Sequence, residues 1–163
     1  MVVKQVEGVT YDELGELELP SGEVVTGKTT DLMGASSATL LNALKRLAGI
    51  DHQHHLISRE AIEPIQAVKV NHLAFLLGLF LFFIYKKCYS GVMYSASFGV
   101  TLIALAISAT TNPLAKRALD QLSALRGCEA HSTVILSPVD SSTYSRLGLR
   151  LTCEPQYETN KLY

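Results

Sequence analysis

The alternation of apolar and polar residues near the start of the chain predicts a β-hairpin. Leucines alternate with acids and a glycine over residues 14–19, a turn sequence with proline and glycine follows at 20–22, and two valines open the next run. A proline and a glycine between two short extended runs are typical of a tight turn. The pattern therefore predicts two short antiparallel strands near residues 14–26.

Leucines recur at helical spacing in the next segment, so that they share one face of a predicted helix. We expect this helix to begin at a Ser36 cap and to end at Gly49, which can adopt the left-handed conformation past a helix end. A second start signal at Ser58 precedes Pro64, which we place in the first turn, where proline is tolerated.

The C-terminal third predicts further helices and strands. A cap at Asn112 opens a helix that should run to Arg126, and a short helix is expected over Asp140–Leu147. Val134–Leu136 reads as a strand buried on both faces, whereas Leu149–Cys153 alternates like a half-exposed strand. The fold class is therefore mixed α/β (α+β): an N-terminal hairpin, several helices and a small C-terminal sheet, which we interpret as an incomplete domain.

An apolar block interrupts this pattern, because only Lys86 and Lys87 carry charge between Val70 and Ala115. A membrane protein with a helical hairpin over residues 73–109 is one interpretation. Its first half is too short, since its helix would cover roughly 20 Å of a hydrocarbon layer about 30 Å thick, and serines dilute the second half. Burial inside a larger soluble fold is the alternative interpretation.

Composition and charge exclude some functions. The net charge is −1 and the basic residues are scattered, so the chain lacks the basic footprint of a nucleic-acid-binding protein. Its three cysteines contain no CxxC pair, and we find no signal peptide at the start. These features favour a reducing cytoplasm, with a membrane location as the alternative.

The segment from Gly22 to Thr29 matches the pattern G-x-x-x-x-G-K-T, in which loop amides and a lysine surround a phosphate. The context favours a hairpin, because polar residues and a proline precede Gly22 where a phosphate loop would follow a buried strand. A weaker hypothesis remains, in which residues 26–29 offer amides and an ammonium to an anion, with Gly27, Lys28 and Thr29 as the predicted contacts.

Two groups of residues offer chemistry at the level of side chains. The histidines at residues 52–55 are most simply a solvated loop, and we predict no metal site there. Cys128 and His131, with Glu154 beside the last strand, form the candidate catalytic group: a thiolate activated by imidazole with an adjacent carboxylate. A Cys/His/Cys zinc site is a further alternative, and buried structural cysteines are the simplest one.

Many stretches of the chain resemble one bacterial family, the uncharacterised proteins grouped as domain of unknown function eighteen forty-six. The stretches that carry the resemblance are Thr26–Thr29, Asp31–Ala35, Leu40–Lys45, Ala48–Asp51, His55–Ser58, Ile62–Gln66, Ile103–Pro113, Arg126–Thr133, Leu136–Ser137, Leu151–Pro155 and Lys161–Tyr163.

The resemblance implies that residues 1–163 correspond to the C-terminal part of a longer, soluble, mixed α/β protein whose activity is unassigned. The implied partner is the N-terminal part of that family protein, and a homo-oligomer is a further expectation. The resemblance names no cofactor and does not decide whether the protein is an enzyme.

The chain departs from the family over residues 74–101, where a polar stretch with a histidine and two acids is replaced by a longer apolar one. We interpret 74–101 as an atypical insert or replacement, translated from an intron or a misread exon.

Two function classes follow for the intact protein. One is the binding of a phosphorylated or nucleotide-like ligand, and the other is a non-enzymatic assembly module; the membrane protein is the third alternative.

Overall fold

A four-stranded mixed sheet forms the centre of the fold. The computed structural model of the protein describes residues 3–6, 9–11, 14–68 and 98–153. The strands are β1 (Val3–Val6), β2 (Val9–Tyr11), β3 (Leu14–Glu18), β4 (Val24–Lys28), β5 (Glu129–Ser132) and β6 (Arg150–Cys153). The helices are α1 (Ala35–Leu47), α2 (Arg59–Val68), α3 (Phe98–Ser108), α4 (Pro113–Leu119) and α5 (Pro138–Arg146), with a 3-10 helix over Leu122–Leu125.

The sheet has the strand order β4-β3-β5-β6. β3 pairs antiparallel with both β4 and β5, whereas β5 and β6 run parallel and are connected through α5. β1 and β2 form a separate antiparallel pair. The predicted mixed α/β fold is therefore confirmed, and the hairpin predicted near residues 14–26 is present as β3 and β4, which extend to Lys28.

The helices pack on one face of this sheet. α1 contacts β3 and β4, α5 contacts β6, and α3 contacts α1, α2, α4 and α5. Because side chains alternate along a strand, each strand sends every second residue to this side. The residues of the covered face are buried or half-buried: Gly15, Leu17, Val25, Gly27, Ala130, Ser132, Leu151 and Cys153. No helix of the described residues covers the opposite face, which we call the open face. It carries Leu14, Glu16, Glu18, Val24, Thr26, Lys28, Glu129, His131, Arg150 and Thr152.

Two glycines allow α1 to approach the sheet closely. Gly15 and Gly27 are cross-strand partners on β3 and β4, and both lie against Thr39 of α1. A Cβ atom at Gly27 would overlap the backbone nitrogen of Thr39. The Thr39 hydroxyl donates to the Ala35 carbonyl at 2.8 Å, so this buried polar group is satisfied inside the contact. At the sheet edge, the Asn42 amide donates to the Thr26 carbonyl at 3.0 Å.

The core continues from α1 into α3 and α5. The Phe98 ring is completely buried and stacks on the Tyr144 ring, with 4.4 Å between their centroids. The Tyr144 hydroxyl donates to the Ser36 carbonyl at 3.3 Å. Burial raises the pKa of Tyr144, and the nearby Asp140 charge raises it further.

The helix ends follow the sequence signals in most places. Asn112 Oδ1 accepts from the backbone N–H groups of Leu114 and Ala115, and the Ser58 hydroxyl accepts from the Ala61 N–H at 3.3 Å. Gly49 adopts a φ of +63° just past α1, as predicted.

Three predicted boundaries are wrong. α1 begins after Gly34 and places Ser36 inside its first turn, because the Ala35 N–H is already satisfied by the Thr29 hydroxyl at 3.1 Å. Pro64 lies in the second turn of α2. The helix from Asn112 ends at Leu119, because the hydrogen bonds tighten to three-residue spacing at Gln121; the leucine spacing suits two short helices equally well.

The predicted strand over Val134–Leu136 is also wrong. β5 ends at Ser132, and Ile135 is 62% exposed. The partner strand β3 begins at Leu14, where the Thr133 N–H and hydroxyl both donate to the Leu14 carbonyl at 3.1 Å. Within the described residues, β3 offers no backbone beyond Leu14 for the ladder to pair with, and the apolar run continues into the turn before α5.

Most of the apolar block, residues 69–97, lies outside the described residues. The described part of the predicted second membrane segment is α3, which packs in the core of the fold. Within the part of the chain that the structure describes, no helix has both the length and the apolar character needed to cross a bilayer.

Candidate functional site

The GKT motif forms a hairpin turn and a strand. Gly22 adopts a φ of +81° at the turn, where the Gly22 N–H donates to the Leu19 carbonyl and the Leu19 N–H donates to the Glu23 carbonyl, both at 2.8 Å. Residues 24–28 then form β4. A phosphate loop would curl its amides around an anion, whereas these amides belong to an extended strand. The hairpin interpretation is therefore confirmed.

The loop that follows β4 satisfies its own amides. The Thr29 hydroxyl accepts from the Ala35 N–H at 3.1 Å. The Thr30 hydroxyl accepts from the N–H groups of Leu32 and Met33 at 3.3 and 3.2 Å. These donors already have partners, so the loop differs from an anion-binding cradle.

The three predicted anion contacts consequently lie in different surroundings. Gly27 is buried against α1, and Thr29 caps the loop. Lys28 is exposed on the open face, at the end of edge strand β4. Within residues 14–68 and 98–153, its ammonium forms no ion pair. Lys28 is thus the member of this group best placed to meet a ligand.

Cys128 precedes β5 and is 92% buried, since its exposed fraction is 8%. Its thiol contacts the Ala124 carbonyl at 3.8 Å, a weak hydrogen bond. Burial raises the pKa of Cys128, and the Glu18 charge raises it further. A raised pKa reduces the thiolate fraction, which is the reverse of what activates a cysteine nucleophile.

The strand geometry separates Cys128 from His131. The two residues are three positions apart, so their side chains leave opposite faces of the sheet. Cys128 shares the side of buried Ala130, whereas His131 lies on the open face. The fold therefore does not bring these two candidate catalytic side chains together. Glu154, the third member of the predicted group, lies outside the described residues.

His131 instead belongs to a row of polar residues that crosses the open face. The strand registers place Thr26 beside Glu16, Glu16 beside His131, and His131 beside Thr152. Residues directly opposite each other have Cβ atoms roughly 5 Å apart. The Nδ1 atom of His131 lies 2.9 Å from the Thr152 hydroxyl.

A neighbouring row carries most of the charge of this face. Glu18 lies directly opposite Glu129, and like charges in that arrangement repel. Arg150 is next to Glu129 and reaches it at 3.7 Å, which offsets part of this repulsion. Strand spacing puts the Lys28 and His131 positions roughly 12 Å apart on the same face, two strands and one row from each other.

The sequence reasoning missed Glu16 and Thr152 as members of this site. Their alternation with buried residues was visible, since Glu16 follows Gly15 and Thr152 follows Leu151. The strand order, which brings β3, β4, β5 and β6 side by side, was not visible. Among the described residues, no group of histidine, cysteine or acidic side chains has the arrangement of a metal site.

Comparisons with known proteins give the chain a family. The sequence model of the C-terminal domain of unknown function DUF1846 matches residues 2–75 and 94–163. A UPF0371 protein of Corynebacterium diphtheriae is 43% identical over 160 residues, which is 98% of this chain and 29% of the relative. A UPF0371 protein of Streptococcus pyogenes is 42% identical over 147 residues, 90% of this chain and 26% of the relative.

These names assign no activity. The chain spans less than a third of the length of the curated relatives that it matches. By the extent of the family match and the identity to these relatives, the chain belongs to the DUF1846 family and corresponds to its C-terminal domain.

Proposed function

We propose that the open face of the sheet forms one wall of a binding site for a phosphorylated, nucleotide-like ligand in the family protein. The observation that carries this proposal is the placement of Lys28 and His131 on one face that no described helix covers, with the hydroxyls of Thr26 and Thr152 in the same row as His131. Lys28 was predicted as an anion contact and His131 as a catalytic residue, and both lie on the same face of the sheet.

The spacing and chemistry of this face suit such a ligand. The exposed Lys28 ammonium can pair with a phosphate group, because an ammonium is a common point-charge partner of phosphate. Roughly 12 Å away, His131 and Glu16 can hydrogen-bond the hydroxyl or amino groups of a sugar or base. The carboxylates of the face disfavour a second phosphate near Glu16, which supports a single anionic end at Lys28.

The opposite wall would come from the remainder of the family protein. Small-molecule sites are concave, and one sheet face provides only one side of a cleft. The chain covers 29% of the length of the C. diphtheriae relative, so more than two thirds of that protein is available to face this sheet. The N-terminal part of the family protein is therefore the partner that we propose.

The experiment is a thermal-shift titration of the full-length C. diphtheriae relative with nucleoside phosphates and inorganic phosphate. A ligand present at 100 times its Kd stabilises a protein by about 2.7 kcal/mol. We expect Lys28→Ala, made in a family member that carries a lysine at this position, to remove most of that shift. Lys116→Ala is the matched control, because Lys116 is an exposed lysine on α4, paired with Asp120.

A different outcome favours the second candidate function. If no phosphate compound stabilises the protein, or if Lys28→Ala leaves the shift unchanged, the site residues serve turns and strand ends in an assembly module. One observation favours that candidate: Ile103 and Ile107 are 53% and 52% exposed, one turn apart on α3. An apolar pair of this kind suits contact with another protein surface, including a second copy of the chain.

We also infer that the atypical apolar segment is narrower than residues 74–101. The family match stops at residue 75 and resumes at 94, and Phe98 and Thr101 are fully buried in the fold. These observations support an insert or replacement confined to about residues 76–93. Sequencing the transcript tests its origin, and an abundant message that encodes these residues in frame contradicts the translated-intron hypothesis.

The cytoplasm is the compartment that we propose. Cys128 and Cys153 are free thiols, which fits a reducing environment. Resistance of the protein to carbonate extraction from membranes would favour the membrane alternative instead.

A further inference from the structure

Strand β6 is an edge of the described sheet, and its backbone groups point in two directions. The Arg150 N–H donates to the Cys128 carbonyl at 2.9 Å, so the backbone groups of Arg150 face β5. Successive residues of a strand direct their N–H and C=O groups to opposite sides. Thr152 therefore also faces β5, whereas the N–H and C=O groups of Leu151 and Cys153 face the outer edge, where no described strand pairs with them.

The outer edge of β6 lacks the features that prevent strand edges from pairing. Such features include proline, a β-bulge and charged side chains along the edge. β6 contains no proline, and its register with β5 is continuous from Arg150 to Cys153. Its one charged side chain, Arg150, reaches inward to Glu129 of β5 at 3.7 Å. The edge is therefore a regular template for a further strand.

The covered side of the sheet holds this edge in place. Leu151 and Cys153 are half-buried there, and Leu151 packs against the hydrophobic core. Helix α5 contacts β6 and connects it to β5, so that these elements form a parallel strand–helix–strand unit. Parallel strands joined by helices are typical of α/β sheets with several strands. A sheet that ends in this unit is well prepared to continue beyond β6.

We propose that β6 pairs along its outer edge with a β-strand from the N-terminal part of the family protein. The chain covers 29% of the length of the C. diphtheriae relative, and the family model that it matches is C-terminal, so most of that protein precedes this domain. The added strand would bond to the N–H and C=O groups of Leu151 and Cys153, as strands do when they extend a sheet at its edge. The inference is independent of the proposed ligand, because no phosphate compound enters its observations or its tests.

Amide hydrogen exchange of the full-length C. diphtheriae relative, resolved by residue, tests the proposal. With a paired outer edge, all the amides aligned with residues 150–153 should exchange slowly. With a free edge, the two outward amides, at Leu151 and Cys153, would exchange at least about 100-fold faster than the two inward ones. The inward amides of Arg150 and Thr152 are the internal control, since β5 accepts from them in either case. Such an alternating pattern would overturn the proposal.

The 163-residue chain identifies the source of the added strand, because it aligns with less than a third of the relative. Its Leu151 and Cys153 amides should exchange at least about 100-fold faster than the aligned amides of the full-length relative. Fast exchange of all four β6 amides in the chain would support the proposal equally, because the protection would then come from the N-terminal part. Slow exchange of the two outward amides in the chain itself would overturn it, as would protection in the relative that is lost on dilution and therefore comes from a second copy.

Two substitutions at one position separate the outward N–H from the leucine side chain. In a family member that carries leucine at position 151, Leu151→Pro removes the outward N–H and leaves the pairing with β5 intact, because proline is tolerated where the N–H of a strand faces away from its neighbour. Leu151→Ala keeps the N–H and is the control. We expect the amide of Cys153 to exchange at least about 10-fold faster in Leu151→Pro than in Leu151→Ala. Equal rates would overturn the proposal, and if Leu151→Pro fails to fold, the exchange pattern of the unmodified relative decides.

Discussion

The two faces of the sheet are built from the same strands but carry different kinds of side chain. On the covered face, small and apolar residues bring α1 so close that Gly15 and Gly27 leave no room for a Cβ atom. On the open face, every row contains charged or hydroxyl side chains, such as Glu16 beside His131. Neighbouring residues in one strand therefore serve different purposes: one maintains the fold, and the next is available for a ligand.

This difference indicates where the chain tolerates change. The covered face is stabilised by close packing. A substitution that makes a side chain there either smaller or larger weakens this packing. The open face holds groups that water can solvate, so their replacement should change binding more than folding.

The largest effect is expected from adjacent residues of β3. Leu17 is 1% exposed on the covered face, and Leu17→Ala should lower the free energy of unfolding by about 2–5 kcal/mol through a lost contact and a cavity. Glu16→Ala, one position away on the open face, should change it by about 0.5 kcal/mol or less. Urea unfolding measures both values. Equal losses in the two variants would show that the faces do not differ as we describe.

A smaller effect is expected from the glycine contact with α1. Gly27→Ala should lower the free energy of unfolding by about 1–3 kcal/mol, because its Cβ overlaps the Thr39 backbone and α1 must shift. Gly34→Ala is the control, since a Cβ there meets no atom within 4 Å. The shift in urea midpoint measures the difference, and a neutral Gly27→Ala would contradict the close approach of helix and sheet.

The smallest effect is expected from Tyr144, a titratable group on the covered side. Its folded pKa is raised, chiefly by burial, so the neutral phenol contributes its full stability below the unfolded pKa of roughly 10. Above that pH the unfolded chain releases a proton that the folded chain retains, and stability falls as pH rises.

Tyr144→Phe should flatten this alkaline decline and cost about 1 kcal/mol near neutral pH, where the bond to the Ser36 carbonyl is lost. The free energy of unfolding, measured against pH for both proteins, checks the result. Parallel curves above pH 10 would mean that Tyr144 titrates in the same way in the folded and unfolded chains.

Local sequence signals predicted the elements whose cause is local. The hairpin at Gly22, the cap at Asn112 and the stop at Gly49 all depend on residues within a few positions, and each is present in the structure. The strand predicted at Val134–Leu136 failed because its existence depends on a partner: β3 starts at Leu14, and no backbone of the residues that the structure describes continues the ladder. Periodicity also could not show the break at Gln121, since the leucine spacing fits one helix or two.

The candidate site shows the same limit. Lys28, Cys128 and His131 were identified as chemically capable residues from type and motif alone. The grouping of Lys28 with His131 needed the strand order β4-β3-β5-β6. Cys128 lies on the other side of the sheet because it is three positions from His131 along the chain. Thr152 and Glu16 gained their importance only as neighbours of His131, a relation between residues far apart in the chain.

The amide of Asn42 makes the two edges of the described sheet unequal as places where a further strand could pair. The Asn42 amide of α1 donates to the Thr26 carbonyl. It thereby occupies part of the β4 edge to which a further strand would hydrogen-bond. This hydrogen bond therefore disfavours edge-to-edge aggregation of molecules through β4. Among the described strands, β6 forms the other edge of this sheet. A strand added there would lie next to Thr152 and would widen the polar surface around His131.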